Sequence, residues 1–342
     1  MMTSTNGAER RGSSRKFWLL GLGIILFVAL YSGAWFFGAD RLRNLVRDRL
    51  SNSSVSVACT GLDVKGYPFR IGVYCDAIGV DDKRTGTSAS FGALRSAAQV
   101  YNPGHAIVEL DGPAIVRVSP DIVLTADWNL LHASGVAGIR GLDRASIAYD
   151  ALKGTFAAGM RDVNVGFAAS HGEIHARTNG TALDAALSLD GLELTVTETR
   201  VPKANVTADV TVADAASWLR DGVPANAPRG TRGDLRRLGL DFGNGKTTAL
   251  SGSYEINDEG LLSGKFELEI NGIDNVRDIV AETFPEIADT ATSVADTIRG
   301  LSGGREDARV KLRAKDGVIY LGIIPIAAIG PLEAAGSFWR RH

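Results

Sequence analysis

Hydrophobic and polar positions along this chain follow three patterns, and the first is an apolar run without interruption. Residues 17–37 contain no Asp, Glu, Lys or Arg. At about 1.5 Å per helical residue, this run matches the roughly 30 Å hydrocarbon core of a bilayer. Arg10, Arg11, Arg15 and Lys16 precede the run, and Tyr31, Trp35, Phe36 and Phe37 stand where an interfacial aromatic belt would lie. The pattern predicts a transmembrane anchor over 17–37, preceded by a basic cytoplasmic tail over 1–16. A juxtamembrane helix or linker follows over 38–53. A buried soluble helix would rarely stay uncharged for so long. A cleaved signal peptide is the other reading, with Ser32, Gly33 and Ala34 as a small-residue site.

The second pattern is alternation with period two. Val55, Val57 and Cys59 share one parity, as do Phe69, Ile71, Val73 and Cys75, so both segments read as half-buried strands. Gly66-Tyr67-Pro68 lies midway between the cysteines, and a turn there would set Cys59 opposite Cys75 on one face. This predicts a cross-strand disulfide, which persists only in an oxidising compartment. Two unpaired buried cysteines in a cytosolic domain are the alternative. Further alternating runs fall at 107–118, 146–149, 192–196, 206–212, 266–270 and 310–314. Leu110-Asp111-Gly112, Leu189-Asp190-Gly191 and Ile270-Asn271-Gly272 each read as a strand ending in Asx-Gly, which predicts a shared hairpin turn.

The third pattern is helical. A short helix is expected over 213–221, stopped by Gly222 and Pro224. Over 274–301, Val276, Val280, Phe284, Ile287, Ala291, Val294, Ile298 and Leu301 recur at steps of three and four and form one apolar stripe, with Pro285 expected to kink or divide it. Packing on a sheet is one role for this stripe, and covering an apolar lipid groove is the other. Its acidic outer face argues against a membrane-surface helix.

Composition narrows the picture. Forty Gly against ten Pro, between short apolar runs, favours strands and turns over a helical bundle. A formal net charge of -2 gives no pull toward nucleic acid, which is dropped as a partner. Local charge is sharper: Arg309, Lys311, Arg313 and Lys315 alternate with apolar residues, so one strand face is basic. Solvation or protection of a sheet edge accounts for that face, and contact with anionic headgroups is the alternative.

Catalytic motifs do not emerge. His171 and His175 suggest a zinc helix, but Gly172 occupies the position that a metalloprotease helix gives to glutamate. On a strand the two rings would stand about 13 Å apart. Gly243-Asn244-Gly245-Lys246-Thr247 lacks the first glycine of a phosphate loop and reads as a hairpin turn. No catalytic residue, metal ligand or cofactor is assigned.

Several of these features together resemble the bacterial membrane-anchored family called domain of unknown function 2125. They are the N-terminal span, the Cys59 to Cys75 hairpin with Gly66-Tyr67-Pro68-Phe69-Arg70, the turn at 258–264 with its following strand, and the ending at 317–332. More distantly the chain is similar to AsmA-like envelope proteins. That resemblance implies inner-membrane anchorage, a β-rich periplasmic domain and a role in membrane homeostasis or lipid handling. The expected fold is mainly β (α+β): a transmembrane helix, then a large curved antiparallel sheet over 54–342 with an apolar inner face and one long amphipathic helix packed on it. The expected function is non-catalytic: a single-pass inner-membrane protein, its domain in the periplasm, that binds or shields lipid during envelope maintenance. A scaffold that holds envelope proteins and an envelope hydrolase without a local motif are the rivals.

Overall fold

The structure is a computed structural model and describes residues 13–51, 55–119, 121–139, 141–159, 163–224 and 226–332. The basic tail up to residue 12 and linker residues 52–53 lie outside the described residues. α1 (Ser13–Ser51) is one continuous helix of 39 residues, so the anchor and the juxtamembrane segment form a single rod. It is long and apolar enough to cross a membrane, and none of its apolar window is buried against the rest of the protein.

An antiparallel sheet of 20 strands follows and does not close on itself. β1 (Ser56–Thr60) and β2 (Asp63–Lys65) lead out, and β3 (Arg70–Cys75) and β4 (Ala77–Asp82) return. β5 (Thr87–Phe91) with β6 (Leu94–Gln99), β7 (Asn102–Leu110) with β8 (Ala114–Ser119), and β9 (Ile122–Asp127) with β10 (Leu130–Gly138) repeat this arrangement. β11 (Gly141–Ala158) pairs with β10 along its first half and with β9 along its second. Each earlier couple is therefore one long strand interrupted in the middle. A meander then runs through β12 (Val163–Asn179), β13 (Ala182–Val196), β14 (Thr199–Val212), β15 (Thr231–Asp241), β16 (Thr247–Ile256) and β17 (Leu262–Asn271). It ends with β18 (Asp307–Lys315), β19 (Val318–Leu321) and β20 (Ile324–Ala328).

The interruptions line up as a crease across the sheet. It passes through Gly61, Asp76, Gly92, the 111–113 segment and Trp128, then through Ala151 inside β11 and Gly191 inside β13, whose φ angles are 53° and 63°. This corrects the expected hairpin grammar. Asp111-Gly112 separates β7 from β8 without reversing the chain, and Asp190-Gly191 lies within β13. Asn271-Gly272 ends β17 and opens a helix. At Gly191 the left-handed conformation that glycine allows bends a strand instead of closing a hairpin.

The cysteine register is corrected in the same way. Cys59 pairs with Ile78, not with Cys75, because the hairpin is interrupted after Thr60. Gly61 takes φ 66°, a left-handed conformation that glycine adopts without a Cβ penalty, so the chain bends there. The disulfide still forms, with 5.3 Å between the two Cα atoms, and staples the first two passes where the ladder lapses.

The helices sit at the margins. α2 (Trp218–Asp221) is only the end of the helix expected over 213–221, since Ala213 donates instead to the Arg232 carbonyl across the sheet end. Pro285 divides the longer helix into α3 (Ile273–Thr283), a 3-10 turn (Pro285–Ile287) and α4 (Ala288–Leu301). The basic strand is β18, which pairs with β17 along its length but with β19 only over Leu312–Lys315, so among the described residues Arg309 and Lys311 lie on an open edge while Arg313 and Lys315 lie between two strands. The last strand, β20, is the remaining edge at this end and carries Pro325.

Candidate functional site

Residues opposite each other in an antiparallel ladder share a face, so the register shows which side chains form each surface. From β11 onward one row reads Ile147, Ile174, Leu187, Ala208, Leu238, Leu250, Leu268 and Val310. Backward from Ile147 the row continues through Ala133 and Val108 to Ser96. Ser96 stands opposite Val73, flanked by the pairs Ile71–Ala98 and Tyr74–Arg95, and Val73 pairs with Val64. The serine is no polar break, because its hydroxyl donates to the Val73 carbonyl and accepts from the Val73 N–H. A neighbouring row, Ala145, Ala176, Ala185, Val210, Leu235, Gly252, Phe266, Leu312 and Leu321, widens the strip. One apolar face therefore crosses the sheet from β2 to β19.

Helices cover this face only in places. At its start Val64 is buried with Trp35 and Ala39 of α1, with Leu42 and Ile71 packed beside them. At its end Ile270, Ala308, Val310 and Leu321 form a core with Ile273, Ala295 and Ile298 of α3 and α4. Along one side Leu183 and Val212 are covered by Ala215, Trp218 and Leu219. Between these lids Ile147, Ile174 and Leu238 stay 39%, 42% and 40% exposed. α3 follows β17 and contacts β14, and Leu240 on β15 remains 37% exposed.

The opposite face is polar. Arg144, Arg177, Asp184, Thr211 and Asp234 form one row, and Ala148, Glu173, Ser188 and Thr207 another. Asp184 is buried: the Thr211 hydroxyl donates to it at 2.8 Å, Arg236 at 3.1 Å and Arg177 at 3.2 Å. The Thr211 hydrogen bond, followed by the two guanidiniums, holds its carboxyl below the usual carboxylate range against the opposing effect of burial. Glu173 lies between His171 and His175 and bonds both rings, at 3.3 and 2.9 Å. These bonds, with His175 contributing most, depress the Glu173 carboxyl, while Asp150 and then Glu173 raise the His171 imidazole. The zinc-like spacing in the sequence is thus a salt-bridged ladder on a strand.

The structure places the expected site residues as follows. Cys59 and Cys75 are bonded. In the helical stripe Ile298 is buried, Val276 and Val294 pack on the terminal core and Val280 is half-buried. Phe284 and Ile287 are uncovered at the Pro285 break. Arg309 is paired with Glu267 and Glu269, while Lys311, Arg313 and Lys315 are exposed on the polar face, at the opposite end of the sheet from α1. Sequence reasoning missed the open middle of the strip, since Ile147, Ile174 and Leu238 come together only through the register.

Fold and site define a class: a long apolar N-terminal helix carrying an open antiparallel sheet with one apolar and one charged face. Within that class, the chain belongs to the family described as uncharacterized protein conserved in bacteria (DUF2125), whose model matches residues 35–330. The match starts at Trp35, where α1 first becomes buried against the sheet. No curated protein and no solved structure matches the chain.

Proposed function

We propose that this protein is a non-catalytic, inner-membrane-anchored component of the bacterial envelope that binds or shields lipid on the open apolar face of its sheet. One observation carries the reading: the apolar row begins under the anchor helix at Val64, ends under α4 at Val310, and is uncovered between. Water against about 40% of an isoleucine side chain, repeated along a row, is a standing cost that an acyl chain would remove. The Cys59–Cys75 bond supports a domain on the oxidising side of the membrane, which for a bacterial chain is the periplasm.

The test is face-specific photo-crosslinking of the full chain in native membranes. A benzophenone side chain in place of Ile174 is expected to capture lipid, and one in place of Glu173, on the opposite face, is not. No lipid adduct at position 174, or a protein adduct there instead, would overturn the reading in favour of a scaffold.

A further inference from the structure

The turn joining β2 to β3 packs against the anchor within its uncharged run. The Tyr31 hydroxyl donates to the Pro68 carbonyl at 2.5 Å, and Ser32 bonds the Tyr67 hydroxyl at 2.8 Å. Both partners lie inside the uncharged run, with Tyr31 six residues before Phe37, or roughly 9 Å along the helix. The Trp35 indole donates to the Arg70 carbonyl at 3.0 Å, and the rings of Trp35 and Phe36 pack on Tyr67.

Two properties of this tip point the same way. Four of its five carbonyls are bonded: Arg70 N–H donates to the Gly66 carbonyl, Val100 N–H to the Phe69 carbonyl, and α1 side chains supply the donors for Pro68 and Arg70. Its uncovered side chains are aromatic rings beside the exposed Arg70 guanidinium, a cation suited to the headgroup level. Phe69 is 68% exposed and Tyr101, on the adjoining β6–β7 turn, is 75% exposed. Bonded carbonyls beside bare aromatic rings suit the headgroup and acyl boundary, where water is scarce and Tyr and Trp concentrate. In water the same rings would cost free energy with nothing to offset it.

We infer that the 66–70 turn and the Val100–Tyr101 turn insert into the bilayer interface, so that the membrane itself is the partner of this end of the sheet. The sheet is then mounted on the bilayer at two places, the α1 span and the aromatic tip, with Val64 and the start of the apolar row at the lipid surface. The inference rests on the anchor reading, but not on lipid occupying the sheet.

The experiment reconstitutes the full chain in phosphatidylethanolamine and phosphatidylglycerol vesicles, with a benzophenone side chain placed singly at Leu22, Phe69, Tyr101 or Ile323. Ile323 is 93% exposed in the turn between β19 and β20, at the other end of the sheet. Lipid adducts at positions 69 and 101 on the order of tenfold above position 323 are expected, as for groups buried in the interface. Adducts at Leu22 with positions 69 and 101 no higher than 323 would overturn the inference and leave the anchor standing. Absence of adducts at Leu22 would overturn both.

Discussion

At the scale of single residues, the two faces of the sheet are set by steric and ionic details that can be tested separately. Tyr149 lies across Gly172, where an added Cβ would stand 2.2 Å from the ring. Gly172→Ala is therefore expected to cost about 1–3 kcal/mol by overpacking, and almost nothing in a Tyr149→Ala background. Chemical denaturation of the four variants measures this, and a full cost in the Tyr149→Ala background would refute the account. On the polar face two groups titrate with opposite sign. The folded Asp184 carboxyl lies below its unfolded value of about 3.9, so its contribution is present above that pH and is lost as pH falls through the folded value. The folded His171 imidazole lies above its unfolded value of about 6.5, so its contribution is present below that pH and is lost as pH rises through the folded value. In melts followed against pH, Asp184→Asn is expected to flatten the acid limb and His171→Gln the limb above neutrality. An unchanged profile for either variant would count against its hydrogen-bond assignment.

At the scale of elements, the crease is the weak line of the sheet and the disulfide is its fastener. The bond closes a loop across a sequence separation of 16, worth about 3 kcal/mol if the chain-entropy account holds. Reduction or Cys75→Ser is expected to lower the melting temperature and to speed amide exchange first at β1 and β4, with β14 to β17 unaffected. Uniform acceleration would mean that the crease does not separate the two parts. Much at this scale was legible in the sequence, because it depends on local rules: the uncharged run of α1, the Pro285 break between α3 and α4, and the alternation that marks β3 and β17. What was not legible depended on ladder register. Gly61 shifts Cys59 onto Ile78, and Gly191 bends a strand where the same dipeptide elsewhere would close a hairpin. The strands at Thr87–Phe91 and Leu94–Gln99 were also silent, since Ser, Ala and Thr alternate too weakly in hydrophobicity to show a period.

At the scale of the whole molecule, the chain exposes 21982 Å². A compact monomer of this mass would expose about 13,400 Å². The bare anchor is one source of the excess and the open strip is another. Only Ile273 and Ile298 are large side chains with less than 2% exposure among the described residues, and both belong to the terminal core. The middle of the strip thus has the composition of a core without the burial of one, which gives it a distinctive mutational signature. In a packed interior, replacing an isoleucine by aspartate strands a charge in apolar surroundings, costs several kcal/mol and unfolds a marginal domain. On the open strip the carboxylate keeps its water, so Ile174→Asp and Leu238→Asp are each expected to cost no more than about 1 kcal/mol. Both should sharply reduce the lipid recovered by extraction and mass spectrometry. Ile298→Asp, beneath α4, should instead fail to fold, and Ile298→Ala should lose about 2–5 kcal/mol. If Ile174→Asp unfolds the sheet as Ile298→Asp does, the strip is closed in solution. If it leaves both stability and lipid content unchanged, the exposed row is not where lipid binds.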